Sequence, residues 1–248
     1  MWDNFYPFLL KHITGIIHIG AHLCEEAPQY IDNFFLNQSD ILWIEANPLL
    51  VQEQSNINSQ TKIFNLVCGK KETKSSFYIS NFSQCGGLYK LSKEHLDCFP
   101  NIKQVDQVEV QTTPLDNFID DLTNHLDKDK KKEFKQKYNT LVISVNGAEL
   151  DVLKGCEKQL EFVDYVFIRG YNYKLYDPTF TMSELEGWMG VNGFSKEKSV
   201  LINEVGIEQH LFVGLDIKEM IQKIEKDNID TLKEEIEKHQ TRVQVWED

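Results

Sequence analysis

Residues 16–48 restrict the possible folds of this chain more than any other stretch. An apolar run (Ile16, Ile17, Ile19) stops at Gly20-Ala21, where the backbone must turn tightly. An amphipathic segment follows, with a helix predicted from near Glu25, and a second apolar run (Ile41 to Ile44) ends in Glu45. Strand, small-residue turn, helix, strand and acid is the layout of a nucleotide-binding βαβ unit. The acid falls about 20–25 residues past the turn, the spacing at which it meets a ribose. A nucleoside-bearing cofactor is therefore expected, set against an ordinary βα turn followed by a solvated strand end.

The turn itself narrows the cofactor. A G-x-G-x-x-G fingerprint brings the backbone close to a pyrophosphate. Here the corresponding stretch, His18 to Cys24, holds a single glycine. NAD and FAD are disfavoured, whereas S-adenosylmethionine has no phosphate and still offers its ribose to a strand-end acid.

Similar alternation recurs downstream. Asn47-Pro48 turns into a helix carrying Leu49, Leu50 and Val51, and Lys62 to Val67 reads as a third strand. Ser75 to Ser80 and Val108 to Thr112 alternate as further strands, Leu88 to Pro100 is a short helix or ordered loop, and Leu115, Phe118, Ile119 and Leu122 share a helical face. The charge run Asp127 to Lys137 reads as a solvated helix or connector. Thr140 to Val145 is a buried-type strand, Asn146-Gly147 a turn, and Ala148 to Leu160 one helix. Asp164 to Ile168 is a strand and Met182 to Val191 a helix, with Val200 to Asn203 and Leu211 to Gly214 as a closing antiparallel pair. This order predicts an α/β fold, a doubly wound, mainly parallel sheet with an antiparallel closing strand. Ligands in such sheets bind at the carboxyl ends of the strands, near the topological switch point. Gly20, Glu45, Val67 and Ser144 are predicted to share that edge.

The 248 residues, 41% of them hydrophobic, suit one sizeable domain, residues 1–215, followed by a charged helical extension over 216–248. The narrow apolar stripe of that extension marks a surface-packed appendage, with dimerisation through it as the lesser alternative. Net charge is −13, so a nucleic-acid backbone is not an expected partner. No apolar run reaches the ~20 residues of a membrane span, and the N-terminal residues MWDNFYPFLL do not read as a signal peptide. Five cysteines without a C-x-x-C pair fit reduced thiols in a cytoplasmic compartment.

Four segments carry a family likeness: IIHIGAHLCEE (16–26), LWIEANP (42–48), NFSQCGGLYKLSKEHL (81–96) and VNGAELDVLKG (145–155). Their order resembles the FkbM-type methyltransferases. The last is the most distinctive, being similar to a family pattern Asp-x-Gln-Gly-Ala-Glu-Leu-x-Val-Leu-Lys-Gly. The resemblance implies a seven-stranded Rossmann-like sheet, S-adenosylmethionine as cofactor, and methyl transfer to an oxygen of a sugar or other small polar acceptor. It implies that Gly20 and Ala21 floor the methionine end, with His18, His22 and Glu25 close by. Glu45 would accept from the ribose hydroxyls, and Ala46, Asn47 and Val67 would border the adenine. Candidate catalytic groups are His95, Glu149 and Ser144, with His18 and His22 as further candidate bases. His18 also reads as a hydrogen-bonded core histidine, and Glu149 as a helix cap. His18 and His22 do not form a metal pair, because a turn separates them. Trp43, Tyr171, Tyr173 and Tyr176 are candidates to wall an acceptor pocket, or else core and rim. The chain departs from the family at Ser144 and Arg169, where acids are usual. That departure supports an alternative, a catalytically inactive binding or scaffold protein. An arginine pointing into the pocket would favour altered or absent catalysis.

Overall fold

Three short apolar runs make the centre of a seven-stranded sheet in the computed structural model, which describes residues 12–59, 61–171, 174–202, 207–219 and 226. β1 (Ile16–Ile19) lies between β2 (Ile41–Glu45) and β8 (Thr140–Ile143), and every residue of the three is buried. Full burial on both faces explains why these strands read as continuous apolar runs rather than alternating ones. Ile17, Ile19, Leu42, Ile44, Leu141 and Ile143 enter the core on one face; Ile16, Ile41, Trp43 and Val142 enter that on the other.

The remaining strands of this sheet are β3 (Ile63–Asn65), β9 (Tyr165–Tyr171), β11 (Phe194–Leu201) and β12 (Ile207–Gly214). The order is β11-β12-β9-β8-β1-β2-β3, parallel from β3 to β9, with β12 antiparallel to both neighbours. The chain winds outward through β2 and β3, then returns on the other side of β1 at β8. The switch point therefore falls between β1 and β8.

Helices cover both faces. α1 (Ala27–Phe34) packs Tyr30 and Phe34 over Trp43. α2 (Pro48–Ile57) follows β2, and α3 (Lys93–Cys98) lies in the long segment before β8. α4 (Leu115–Leu122), α6 (Glu149–Lys154) and α8 (Met182–Val191) fill the opposite face with Leu115, Ile119, Val152, Leu153, Leu185 and Met189. α5 (Lys128–Lys137), the charge run, buries no residue. A second sheet, β4 (Val67–Cys68), β7 (Gln104–Thr113) and β5 (Thr73–Ser80), flanks the carboxyl edge, and β6 (Lys90–Leu91) pairs with β10 (Tyr176–Asp177).

Strands β7, β11 and β12 begin four to six residues earlier than expected, and three further elements differ. The first helix begins at Ala27 rather than near Glu25, because His22 (φ 48°) and Cys24 (φ 56°) are left-handed and cannot be helical. The third strand splits at Leu66, so that β3 stays in the main sheet and β4 leaves it to pair with β7. The helix expected over 148–160 breaks at Gly155 into α6 and α7 (Glu157–Leu160). A Cβ on Gly155 would stand 2.2 Å from the carbonyl oxygen of Gly69, and Asp116 of α4 accepts from the backbone N–H of Lys158 and Gln159 (2.9 and 3.0 Å) to start α7.

Residues 215–219 are helical, with Ile217 against the core. Apart from residue 226, the predicted extension beyond residue 219 lies outside the described residues, as do the N-terminal residues 1–11. Among the described residues no helix is long and apolar enough to cross a membrane.

Candidate functional site

Strand register lines up one row of residues across the carboxyl edge. Ile19 pairs with Ile44 and with Ile143, Ile143 with Ile168, and Glu45 with Asn65. The next residues along each strand, Glu45, Gly20, Ser144 and Arg169, therefore stand side by side. The bend after β1 is set by this crowding. Gly20 has φ +86°, and a Cβ there would lie 2.0 Å from the Ser144 carbonyl oxygen, so only glycine fits. Its N–H and that of Ala21 both donate to the Ile44 carbonyl (2.9 and 3.0 Å).

This bend delivers the next N–H to the acid. His22 N donates to Glu45 Oε2 and Asn47 N to Oε1, both at 2.8 Å. Glu45 is only 7% exposed. Burial raises its pKa, and the two backbone N–H groups pull it back. Each carboxylate oxygen keeps a further acceptor position. Asn47 caps α2 by accepting from Leu49 N (3.0 Å), ahead of Pro48 in the first turn.

A loop over residues 81–88 roofs this row, held by His22, by Asn146 and by backbone bonds between Gly87 and Tyr78. His22 Nε2 lies 2.9 Å from Ser83 Oγ, while its Nδ1 lies 2.5 Å from Glu25. Asn146, left-handed at φ 60°, donates from Nδ2 to the carbonyls of Gln84 (2.9 Å) and Gly86 (2.7 Å) and accepts from Tyr171 OH (3.3 Å). Between row and roof lies a cavity of about 470 Å³, within the range of small-molecule sites. Its apolar wall comes from Leu66, Val67 and Cys68 and, across the second sheet, Phe77 and Ile79. Glu25, Glu26, Glu45 and Glu53 line it, as does Arg169.

A family model described as the methyltransferase FkbM domain matches residues 18–196. The chain belongs to that family. No curated protein matches it in sequence. Among solved structures it is similar to methyltransferase FkbM from Methylobacillus flagellatus KT, at 12% identity and TM-score 0.47, over 80% of this chain and 43% of that one. An uncharacterized protein from Listeria monocytogenes serotype 4b gives 11% identity and TM-score 0.42, over 84% and 65% of the two chains. Aeropyrum pernix fibrillarin, solved with natively bound S-adenosyl-L-methionine, gives 10% and 0.39, over 82% and 68%. The chain thus spans less than half of the Methylobacillus protein.

In this FkbM domain the residues predicted from sequence divide into two groups. Gly20, Ala21, His22, Glu25 and Glu45 line the cavity, as do Ala46, Asn47, Val67 and Ser144. His18, His95 and Glu149 do not. His18 points from β1 into the core, with Nδ1 3.0 Å from Tyr30 OH and its ring 5.0 Å from that of Trp43. Burial lowers its pKa, and it is a core histidine rather than a cofactor ligand. His22 turns the opposite way, into the cavity, so the two do not converge on a metal.

His95, the other candidate histidine, also lies outside the cavity lining. It is 2% exposed on α3, packed on the rings of Phe99 (5.1 Å) and Tyr176 (5.8 Å), and burial lowers its pKa. The serine-capped turn of α3 directs it into this apolar layer, away from the cavity. Glu149 is fully buried behind Val145 and Ala148. Its Oε1 accepts from Val145 N (3.1 Å) and its Oε2 has no partner. Burial pushes its pKa up to about 7, against the pull of backbone N–H groups and of Arg169. Trp43 is core, Tyr171 and Tyr176 stack edge-on behind the roof at 5.5 Å, and Tyr173 lies outside the described residues. Phe77, Ile79, Ser83 and Gln84 were not foreseen as lining residues. Alternation marks a strand without saying which cavity it walls.

Proposed function

We propose that this protein is an S-adenosylmethionine-dependent O-methyltransferase acting on a sugar or other small polar acceptor. The observation that carries the reading is Glu45. It is a buried carboxylate, anchored by two backbone N–H groups, presented to an open cavity beside the Gly20 bend. A carboxylate offers acceptors only, and a ribose diol supplies two adjacent donors. The wall of Val67, Cys68 and Phe77 suits a purine, with Ala46 and Asn47 at its border. Gly20 and Ala21 would floor the methionine end, where Glu25 and Glu26 favour positive charge. Bound there, the cofactor supplies an electrophilic methyl group on a sulfonium.

The chain contributes alignment, exclusion of water under the 81–88 roof, and a destination for the acceptor's proton. Among the described residues His22 is the histidine that lines the cavity; with Glu25 at its Nδ1, its Nε2 would receive the acceptor's proton through the Ser83 hydroxyl that it meets. In this reading the sheet is Rossmann-like, residues 1–215 form the methyltransferase domain in the cytoplasm, and the charged residues from 216 are an extension. Self-association through that extension would be removed by finding the same number of protomers in solution for the full chain and for one ending at Leu215.

Titration calorimetry with S-adenosylmethionine tests the cofactor. Binding is expected, and Glu45→Gln is expected to weaken it about tenfold or more, the scale of hydrogen bonds to a charged group. Absence of binding to folded protein would end the proposal. The second reading, a binding protein without turnover, is favoured by Arg169, which lines the cavity where the family likeness puts a glutamate. Methyl transfer from labelled cofactor to any member of a sugar panel would exclude it.

A further inference from the structure

Among the described residues Arg169 has no anion paired with it. Among the described residues that line the cavity it is the only lysine or arginine. Its Nε is sealed from solvent and has no hydrogen-bond partner. None of the described carboxylates forms an ion pair with it. Glu149, whose charge it feels, stands behind the lining rather than against it. Beside it in the sheet, in direct register on β12, is Gln209. Register partners project to the same face of a sheet. Gln209 is buried, and its Nε2 also lacks an acceptor. Two unmet donors, one of them charged, therefore stand side by side on β9 and β12, Arg169 in the cavity lining and Gln209 next to it outside that lining. Leaving such groups buried and unpaired is costly, so a partner that arrives with the ligand accounts for their retention.

We propose that Arg169, with Gln209 next to it, is a receptor for a carboxylate or similar anion at the end of the cavity opposite Glu45. The guanidinium fork matches the two oxygens of a carboxylate. Register fixes the span: Glu45 and Arg169 are three strands apart, about 14 Å at ordinary strand spacing. A ligand reaching both would carry a nucleoside at one end and an anion at the other. The anion has two possible sources: the amino-acid end of the cofactor, or an acidic methyl acceptor such as a sugar acid. Arg169 is then a binding residue for the reaction proposed above, on which this inference rests, and its departure from the family's glutamate reflects a changed ligand charge rather than lost activity.

The test uses the full chain and three probes: S-adenosylhomocysteine, 5′-methylthioadenosine (the same nucleoside without the amino-acid end), and glucuronate against neutral glucose. Arg169→Gln is expected to weaken one anionic probe about tenfold or more and to leave methylthioadenosine binding unchanged, which also reports that the variant is folded. Arg169→Lys, which keeps the charge but loses the fork, is expected to fall between. Selective loss of S-adenosylhomocysteine places the anion on the cofactor. Selective loss of glucuronate from protein loaded with S-adenosylhomocysteine places it on the acceptor. Unchanged affinity for both anionic probes, or equal loss of methylthioadenosine, overturns the proposal while leaving the methyltransferase reading intact. Wild-type protein that binds neither nucleoside overturns both.

Discussion

Glu149 is fully buried with one carboxyl oxygen unpartnered, and burial raises its pKa from 4.5 to about 7. A carboxyl raised in the folded state binds a proton that the unfolded chain has already lost. Its contribution is fully present below the unfolded value near 4.5 and disappears as pH rises through about 7. Glu149→Gln cannot ionise and lacks this loss. Between pH 4.5 and 7.5 the unfolding free energy of the wild type should therefore fall relative to the variant, by roughly 3 kcal/mol. Urea titrations of both proteins across that range check it. Parallel curves would show that Glu149 does not titrate there. Glu45 contrasts with it: backbone N–H groups meet both oxygens of its carboxylate, whereas on Glu149 only Oε1 accepts a hydrogen bond and Oε2 is left without a partner.

The loop over residues 81–88 depends on elements remote from it in sequence. Asn146, in the turn after β8, holds the carbonyls of Gln84 and Gly86, and β5 holds Gly87 through paired backbone bonds with Tyr78 (2.8 and 3.1 Å). Asn146→Gly removes the carboxamide while suiting the left-handed backbone. Losing two hydrogen bonds of about 1 kcal/mol each should speed amide exchange at Cys85 by roughly tenfold or more. Exchange in β1, β2 and β8 should be unchanged. Slowing in the roof, or equal acceleration throughout the sheet, would show that the turn does not hold the loop.

At the scale of the whole molecule, the cavity joins two sheets, and a ligand filling it should stabilise the fold as a unit. At one hundred times its dissociation constant, S-adenosylhomocysteine should add about 2.7 kcal/mol. For a chain of this size that is about 5–10 °C in melting temperature. Glu45→Gln at the same ligand concentration should lose most of that rise. A scanning calorimetry trace that does not move with ligand would show that the folded protein does not bind it in preference to the unfolded chain.

By itself, the sequence determined the local and periodic features. Apolar runs at 16–19, 41–44 and 140–143 had to be buried strands, because only a sheet covered on both faces accommodates them. The glycine bend and strand-end acid were legible because each depends on one residue and its neighbours. Tertiary structure alone decided what depends on distant backbones. It put His18 beneath the row and His22 above it, though they are only four positions apart, because left-handed backbone at His22 follows the Gly20 bend. It broke the helix at Gly155 against Gly69, sent His95 into an apolar layer, and set Arg169 beside Gln209. Side-chain direction and partnership follow from packing between segments far apart in the chain, and periodicity along it carries no information about them.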